Sequence, residues 1–450
     1  MNPNISIDVK FVGSFLFLFI ALYRLPVLLP PDAAYLVTIA IALVLLFPLV
    51  LIVKATRARL ARLSLGRFVI FITFVSVEIL AHFRAWEMGT LSGATVLKTA
   101  ALVICVSTYV LFSLSCINTR AEFRFYLRCL IYGFLLFVIE NLLFSLVAIG
   151  VFNTGSQYAG SAGKNVMLGA IGLDFEAIRF GLESGPKQIV PILIFLFGVS
   201  MAWLQSGPSK VFAFFVFLLC PGMIILSDSR TGAALFLVGL LLFPFLRGLN
   251  RLRIFTVLAL LPVIPVILIT LASIVGALPG AQLLSRSQDN NIATLSNRQI
   301  IWAEIGAEFS KVKPSIVYGY GSAGMEPSGI NKRVSRIFED GWENTGIKSA
   351  HNTILQIVID KGLIGLVVYI VLLWSVLSRL ISDRTPESFS ICVGVLGLLL
   401  LSNLDAVFYF GKVESYLLLV IIGALHVSSY YDGDGYSGSV RKAGMQDMSR

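Results

Sequence analysis

Residues 254–277 read IFTVLALLPVIPVILITLASIVGA, twenty-four positions without a charged side chain. As a helix rising 1.5 Å per residue such a run reaches about 36 Å, more than the roughly 30 Å hydrocarbon core of a bilayer. Working outward from it, comparable apolar stretches fall at 11–30, 34–53, 68–86, 97–115, 129–151, 188–205, 211–227, 232–246, 353–378, 388–408 and 413–429. The expected fold is therefore all-α: a polytopic membrane protein with twelve transmembrane helices. Composition agrees, because 57% of the 450 residues are hydrophobic and only 13% charged, where soluble domains carry about 25% charged residues. A mean hydropathy of +0.87 and 33 Phe exceed what a water-soluble surface can hide.

The net charge of +10 sits in short basic clusters between apolar stretches, which reads as a topology signal and not as a nucleic-acid surface. Alternating the connections from an inner N-terminus puts Lys54, Arg57, Arg59, Arg62 and Arg67 on one side, with Arg120, Arg124, Arg128, Arg247, Arg251, Arg253, Arg379 and Arg384. The opposite side holds few, chiefly Arg84, Lys98, Arg230 and Lys412. The positive-inside rule then selects both termini inside. The five cysteines lie in or beside apolar stretches without a C-x-x-C pair or a nearby histidine, so neither a disulfide framework nor a zinc site is expected. The stretch after Lys10 has no small-residue cleavage site and reads as an uncleaved first span.

Two outer segments are long. Residues 152–187 are Gly-rich, and residues 278–352 are long enough to fold on their own. Within the second, Ser296-Asn297-Arg298-Gln299 has the form of a capping box, followed by Ile301, Ile305 and Phe309 at spacing four. The expectation is an amphipathic helix at the outer membrane-water boundary, forming with its loop a flap over the cleft between the eighth and tenth spans. Residues 431–450, rich in Gly, Ser and charge, read as a disordered inner tail.

Three basic residues stand at helix starts on the outer side. Arg230 follows Ser227-Asp228-Ser229, Arg298 opens the amphipathic helix, and His351 lies in Ser349-Ala350-His351-Asn352-Thr353 at the start of the tenth span. Unpaired N–H groups and the positive helix end favour anions there, and a guanidinium fork suits phosphate oxygens. Together they resemble a diphosphate cradle, although boundary arginines also serve as snorkelling anchors and a lone histidine as a cap. Trp302, Tyr318 and Tyr320 fit either sugar stacking or an interfacial aromatic belt. The glycines at 319, 321 and 324 fit tight turns or hinges.

Glu78, Glu140 and Asp405 fall within spans, where an acid must be paired, wetted or protonated, and Arg24 and Arg84 are the candidate partners. His82 and His426 read as structural. Asp432-Gly433-Asp434 has the spacing of a metal-binding D-x-D but lies in the inner tail, and no other metal or nucleotide motif occurs.

At this point a family resemblance emerges. His351-Asn352, nine residues, then Gly362-Leu363-Ile364-Gly365 is similar to the H-N-x9-G-x-x-G signature of bacterial O-antigen ligases and of O-antigen and exopolysaccharide polymerases. Ser227 to Gly232 resembles that family's S-x-S-R segment, and Arg298 to Trp302 followed by Gly319, Gly321 and Gly324 resembles its R-x-x-x-W and G-x-G stretch. The resemblance covers about residues 225–380 and leaves the first 220 matched in hydropathy alone. It implies a GT-C type glycosyltransferase occupying residues 1–430 in the bacterial inner membrane, with 278–352 as its periplasmic loop. The implied donor is a glycan on undecaprenyl diphosphate, and the implied acceptor a lipid A core or another lipid-linked glycan. Further partners are membrane lipids and, for a polymerase, a chain-length regulator; no nucleic acid, metal or cofactor is expected. The implied roles are diphosphate binding by Arg230 and Arg298, general-base catalysis by His351, orientation by Asn352, and inversion at the anomeric carbon. A twelve-span transporter or flippase centred on Glu78, Glu140 and Asp405 is the alternative, and ligase against polymerase stays open.

Overall fold

The computed structural model describes residues 6–22, 65–117, 119–147, 161–169, 172–173, 176–178, 189–206, 209–242, 298–311, 313–337, 349–383 and 385–404, with single positions 37, 40, 244, 256 and 407. In chain order the elements are α1 (Ile7–Leu22), α2 (Leu65–Glu87), α3 (Gly93–Ser115), α4 (Arg120–Val147), β1 (Ser161–Lys164), α5 (Val166–Gly169), β2 (Glu176–Ile178), α6 (Val190–Ser206), α7 (Lys210–Leu226) and α8 (Arg230–Leu242). After these come α9 (Arg298–Phe309), α10 (Ser315–Tyr318), α11 (Ile330–Ile337), α12 (Thr353–Asp383) and α13 (Pro386–Leu401).

The architecture is that of a helical membrane protein. One correction to the all-α expectation is small: β1 and β2 pair antiparallel within the first long outer segment. Among the described residues three helices are long and apolar enough to cross a membrane, Phe68–Glu87, Ala121–Ser145 and Thr353–Ser382. Shorter apolar helices are Gly93–Tyr109, Val190–Gln205, Lys210–Leu226, Arg230–Leu241 and Pro386–Leu401. Almost all of the second, ninth and twelfth apolar stretches, and the whole of the 431–450 tail, lie outside the described residues. The helix α4 also starts earlier than hydropathy places its span, carrying Arg124 and Arg128 on its first turns, because charge ends an apolar run without ending a helix.

Small residues set the closest crossings. A Cβ on Gly198 would lie 2.8 Å from Gly394 Cα, so α6 and α13 approach backbone to backbone, as membrane helices do when no solvent drives them together. Likewise a Cβ on Gly133 would meet Phe17 O at 3.2 Å where α4 crosses α1.

Polar contacts gather at two opposite ends. At one, Ser6 N–H donates to Glu122 Oε1 at 3.0 Å, Arg128 pairs with buried Glu387 at 2.6 Å, and Trp203 Nε1 donates to Ser390 Oγ at 3.1 Å. At the other, Ser322 N–H donates to Ala81 O at 2.8 Å, Thr353 N–H to Ser402 O at 2.8 Å and Asn165 Nδ2 to Ile225 O at 2.7 Å. Each contact joins segments that the alternation of connections assigns to the same side. The second end carries the candidate site.

Candidate functional site

The amphipathic helix is α9, and the spacing-four residues Ile301 and Ile305 are buried. Their cover, however, is the chain itself: Tyr320, Met325, Ile330, Val334, Ala350 and Ile359 close over that face, with Trp302 and Phe309 packed at the edge. The apolar face of α9 is thus covered by the loop's own residues. Ser296 and Asn297 of the capping box lie outside the described residues, and α9 opens at Arg298.

An acid holds this small loop unit together. Glu308, 2% exposed, accepts from Lys311 Nζ at 2.6 Å, Lys313 Nζ at 3.0 Å, Arg333 Nη2 at 2.8 Å and Tyr320 Oη at 2.8 Å, while Arg333 Nε also reaches Glu304 at 2.9 Å. Burial pushes the Glu308 carboxyl up, but hydrogen bonds from Lys311, Lys313 and Tyr320 outweigh it and bring the pKa down to about 2. The same contacts raise the Lys313 ammonium, with the Glu308 hydrogen bond foremost. Tyr320 is thereby a strut inside the loop unit, not a free stacking platform.

The glycine run docks the loop unit on two membrane helices. Tyr320 N–H donates to Ile359 O at 2.7 Å and Gly321 N–H to Asp360 O at 2.9 Å, which ties the strip to the opened backbone of α12. That opening is at Gly362, with φ 67° and ψ −166° inside the helix. A Cβ there would sit 2.2 Å from Val317 O, and one on Gly319, itself at φ 76°, 2.2 Å from Asp360 O. On the other flank a Cβ on Gly321 would lie 2.7 Å from Ala85 N of α2. The G-x-G and G-x-x-G patterns are thus two halves of one backbone junction, fixed by the absence of side chains. The loop packs on the third and tenth spans, where a cleft between the eighth and tenth was expected.

Charged and polar groups line that junction. Lys361, 8% exposed, is ion-paired with Glu78 of α2. Of the expected partners, Arg84 is not the one used for Glu78, and Arg24 lies outside the described residues. His82 donates from Nδ1 to Glu78 O at 2.6 Å, which leaves Nε2 of a neutral ring to accept from Ser322 Oγ at 3.2 Å. Half-buried Glu140 of α4 has one inaccessible oxygen, Oε2, without a hydrogen-bond partner among the described residues. Asp405, the third acid, lies outside them.

From the junction a hydrogen-bonded relay runs to His351. Asp360 Oδ1 accepts from Gly324 N–H and from Gln356 Nε2, both at 2.9 Å. Gln356 Oε1 in turn accepts from Ala350 N–H at 2.7 Å, and Ala350 O accepts from Trp302 Nε1 at 2.8 Å. Ala350 is gripped on both sides of its peptide chain. His351 follows, half-buried, with φ 49° and its N–H on Ser349 Oγ at 3.1 Å. A non-glycine residue in that left-handed region costs about 1–2 kcal/mol, which the flanking bonds sustain. Asn352 then caps α12, its Oδ1 accepting from Leu355 N–H at 3.0 Å and its Nδ2 donating to Asn403 O at 3.2 Å. Its buried side chain is a structural cap, so it acts on His351 through the backbone.

Arg230 begins α8 behind Ser229, whose Oγ accepts from Gly232 N–H at 3.2 Å and so caps the helix. Asp228, at φ 50°, accepts from Met167 N–H at 3.3 Å, so α5 buttresses this turn. Arg230 and Arg298 are both half-buried in first helical turns. Trp302, one turn after Arg298, reaches the residue before His351, bringing α9 to the start of α12. The turn holding Arg230 connects to the same end through α8 packing on α13, whose C-terminus receives Asn352 and Thr353.

Residues 214–370 match the family model described as O-antigen ligase. That segment is similar to the O-antigen ligase family. Its boundaries enclose the Arg230 turn, α9, the glycine junction and the kinked start of α12. No curated protein matches the chain. The matched segment is borne on apolar helices, as in a membrane protein. Reading the sequence missed Glu308, Gln356, Asp360, Lys361 and the His82–Ser322 contact; the only local signal was the Glu308–Lys311 spacing of three.

Proposed function

We propose that this chain is a twelve-span inner-membrane glycosyltransferase with both termini inside. It moves a glycan from undecaprenyl diphosphate onto a sugar hydroxyl at the periplasmic face. The observation that carries the reading is His351 held left-handed at a helix start within the matched O-antigen ligase segment, with α9 docked on the preceding residue through Trp302.

In this reading the acceptor hydroxyl attacks the anomeric carbon while His351 takes its proton. The bond between that carbon and the diphosphate oxygen breaks, inverting the configuration. Negative charge grows on the departing lipid diphosphate, and the guanidinium groups of Arg230 and Arg298 stabilise it in place of a divalent cation. Neutral imidazole suits proton removal near pH 7. Asn352 supports the base by fixing the turn and does not touch substrate. Acceptor identity, lipid A core for a ligase or a second lipid-linked glycan for a polymerase, belongs to surfaces these residues do not define.

The test is transfer by purified protein supplied with lipid-linked glycan and either acceptor. Arg230→Ala and Arg298→Ala should weaken donor binding, whereas His351→Ala should retain binding and lose transfer. Near-normal transfer by a folded His351→Ala protein removes the general-base assignment.

A further inference from the structure

A cavity of about 670 Å³ lies between α2, α10 and α12. Val77, Leu80, Ala81, Arg84 and Glu87 form one stripe of α2 along it, facing Tyr318, Lys361 and Ile364. Ten residues separate Val77 from Glu87, so the stripe runs about 15 Å along the helix axis. Its lower wall is apolar and opens outward, with Leu80 66% and Ile364 42% exposed. Its upper rim is polar: half-buried Arg84, exposed Glu87 and the exposed phenol of Tyr318.

The charges decide what fits. Lys361 is already balanced by Glu78. Among the described residues, Arg84 and Glu87 have no ion-pair partner, not even each other, although they stand one turn apart on the rim. The rim therefore offers one cation and one anion, with Cβ atoms about 5–6 Å apart at that spacing, above an apolar trough. That is the complement of a zwitterion, not of a net anion.

We propose that this groove is a binding site for a phosphoethanolamine lipid. Its phosphate is held by Arg84 and Tyr318, its ammonium donates to Glu87, and one acyl chain lies along Val77, Leu80 and Ile364. A choline headgroup has no N–H to give Glu87, and a glycerol headgroup has no cation. The bound lipid would brace α2 against α10 at the glycine junction. The site is independent of the transfer reaction.

The experiment uses the full chain in nanodiscs of phosphatidylcholine doped with equal small amounts of phosphatidylethanolamine and phosphatidylglycerol, with retained lipid read by native mass spectrometry. The wild-type protein should retain phosphatidylethanolamine over both others. If each rim contact is worth up to about 1 kcal/mol, Arg84→Gln should lower that retention about three- to fivefold, and Glu87→Gln should abolish the preference over phosphatidylglycerol. Leu80→Trp, filling the trough, should lower retention of every lipid in protein whose monodispersity is unchanged. Retention that ignores headgroup, a preference for phosphatidylglycerol, or an unchanged lipid ratio in Glu87→Gln each overturns the proposal.

Discussion

Gln356→Leu is the substitution that interrogates the relay behind His351 most cleanly. The side chain is buried, has similar volume, and does two things: it accepts from Ala350 N–H at 2.7 Å and donates to Asp360 Oδ1 at 2.9 Å. Leucine leaves a fully buried backbone N–H without its acceptor, a loss of about 1–3 kcal/mol. Asp360 keeps the Gly324 N–H, so its share is smaller. Stability should therefore fall by about 2–3 kcal/mol, within what a folded membrane protein tolerates. The larger consequence is for position, because His351 is the next residue and sits in a conformation it does not favour. A base displaced by about 1 Å loses on the order of a hundredfold in rate. Steady-state assays with lipid-linked glycan should show kcat reduced about 10- to 100-fold with donor KM nearly unchanged. Gln356→Glu should also impair, by setting two carboxylates face to face. Combining it with Asp360→Asn restores a donor opposite an acceptor and should recover most of the activity. Normal kcat in folded Gln356→Leu, or no recovery in the pair, would refute the relay.

Three further outcomes follow from the same geometry. Gly319→Ala or Gly362→Ala should destabilise by more than about 3 kcal/mol, since each Cβ would land 2.2 Å from facing backbone, whereas Gly306→Ala on open α9 surface should stabilise by about 0.5–1 kcal/mol in thermal unfolding. Lys361→Met should cost about 3–5 kcal/mol by stranding Glu78, and the double change with Glu78→Leu should cost less than that single one. Glu308 has a folded pKa of about 2, below its ordinary 4.5, so the stability it contributes is complete above about pH 4.5 and is lost as pH falls toward 2. Hydrogen exchange of α9 should follow that window in wild-type protein and lose it in Glu308→Gln.

Some of this site is local in the chain and was legible there. Arg298 opening a helix, Ile301 and Ile305 sharing one face of it, and a cap just before Arg230 are encoded within a few residues, whereas Asn352, expected to orient His351, is the cap of α12. The glycines were visible as turn formers, but their shared purpose was not, because Gly319 and Gly362 meet only after the chain has doubled back. Lys361 and Glu78 are 283 positions apart, and no periodicity links an acid on one span to a base on another. Glu308 drew no reading from the sequence, because the four donors that converge on it are brought together by the folded loop. Hydropathy likewise placed the start of the fifth span at its first apolar residues, while the helix reaches back to Arg120.

The central claim is covalent transfer at one membrane face, and one measurement reaches it directly. Purified protein in liposomes without a transmembrane gradient is given undecaprenyl-diphosphate-linked glycan and acceptor, and products are resolved by mass. The account predicts glycosylated acceptor with opposite anomeric configuration, stoichiometric free undecaprenyl diphosphate, and loss of both products in His351→Ala and Arg230→Ala. Unchanged donor appearing on the other leaflet, with no new glycosidic bond, would contradict it and establish a carrier instead.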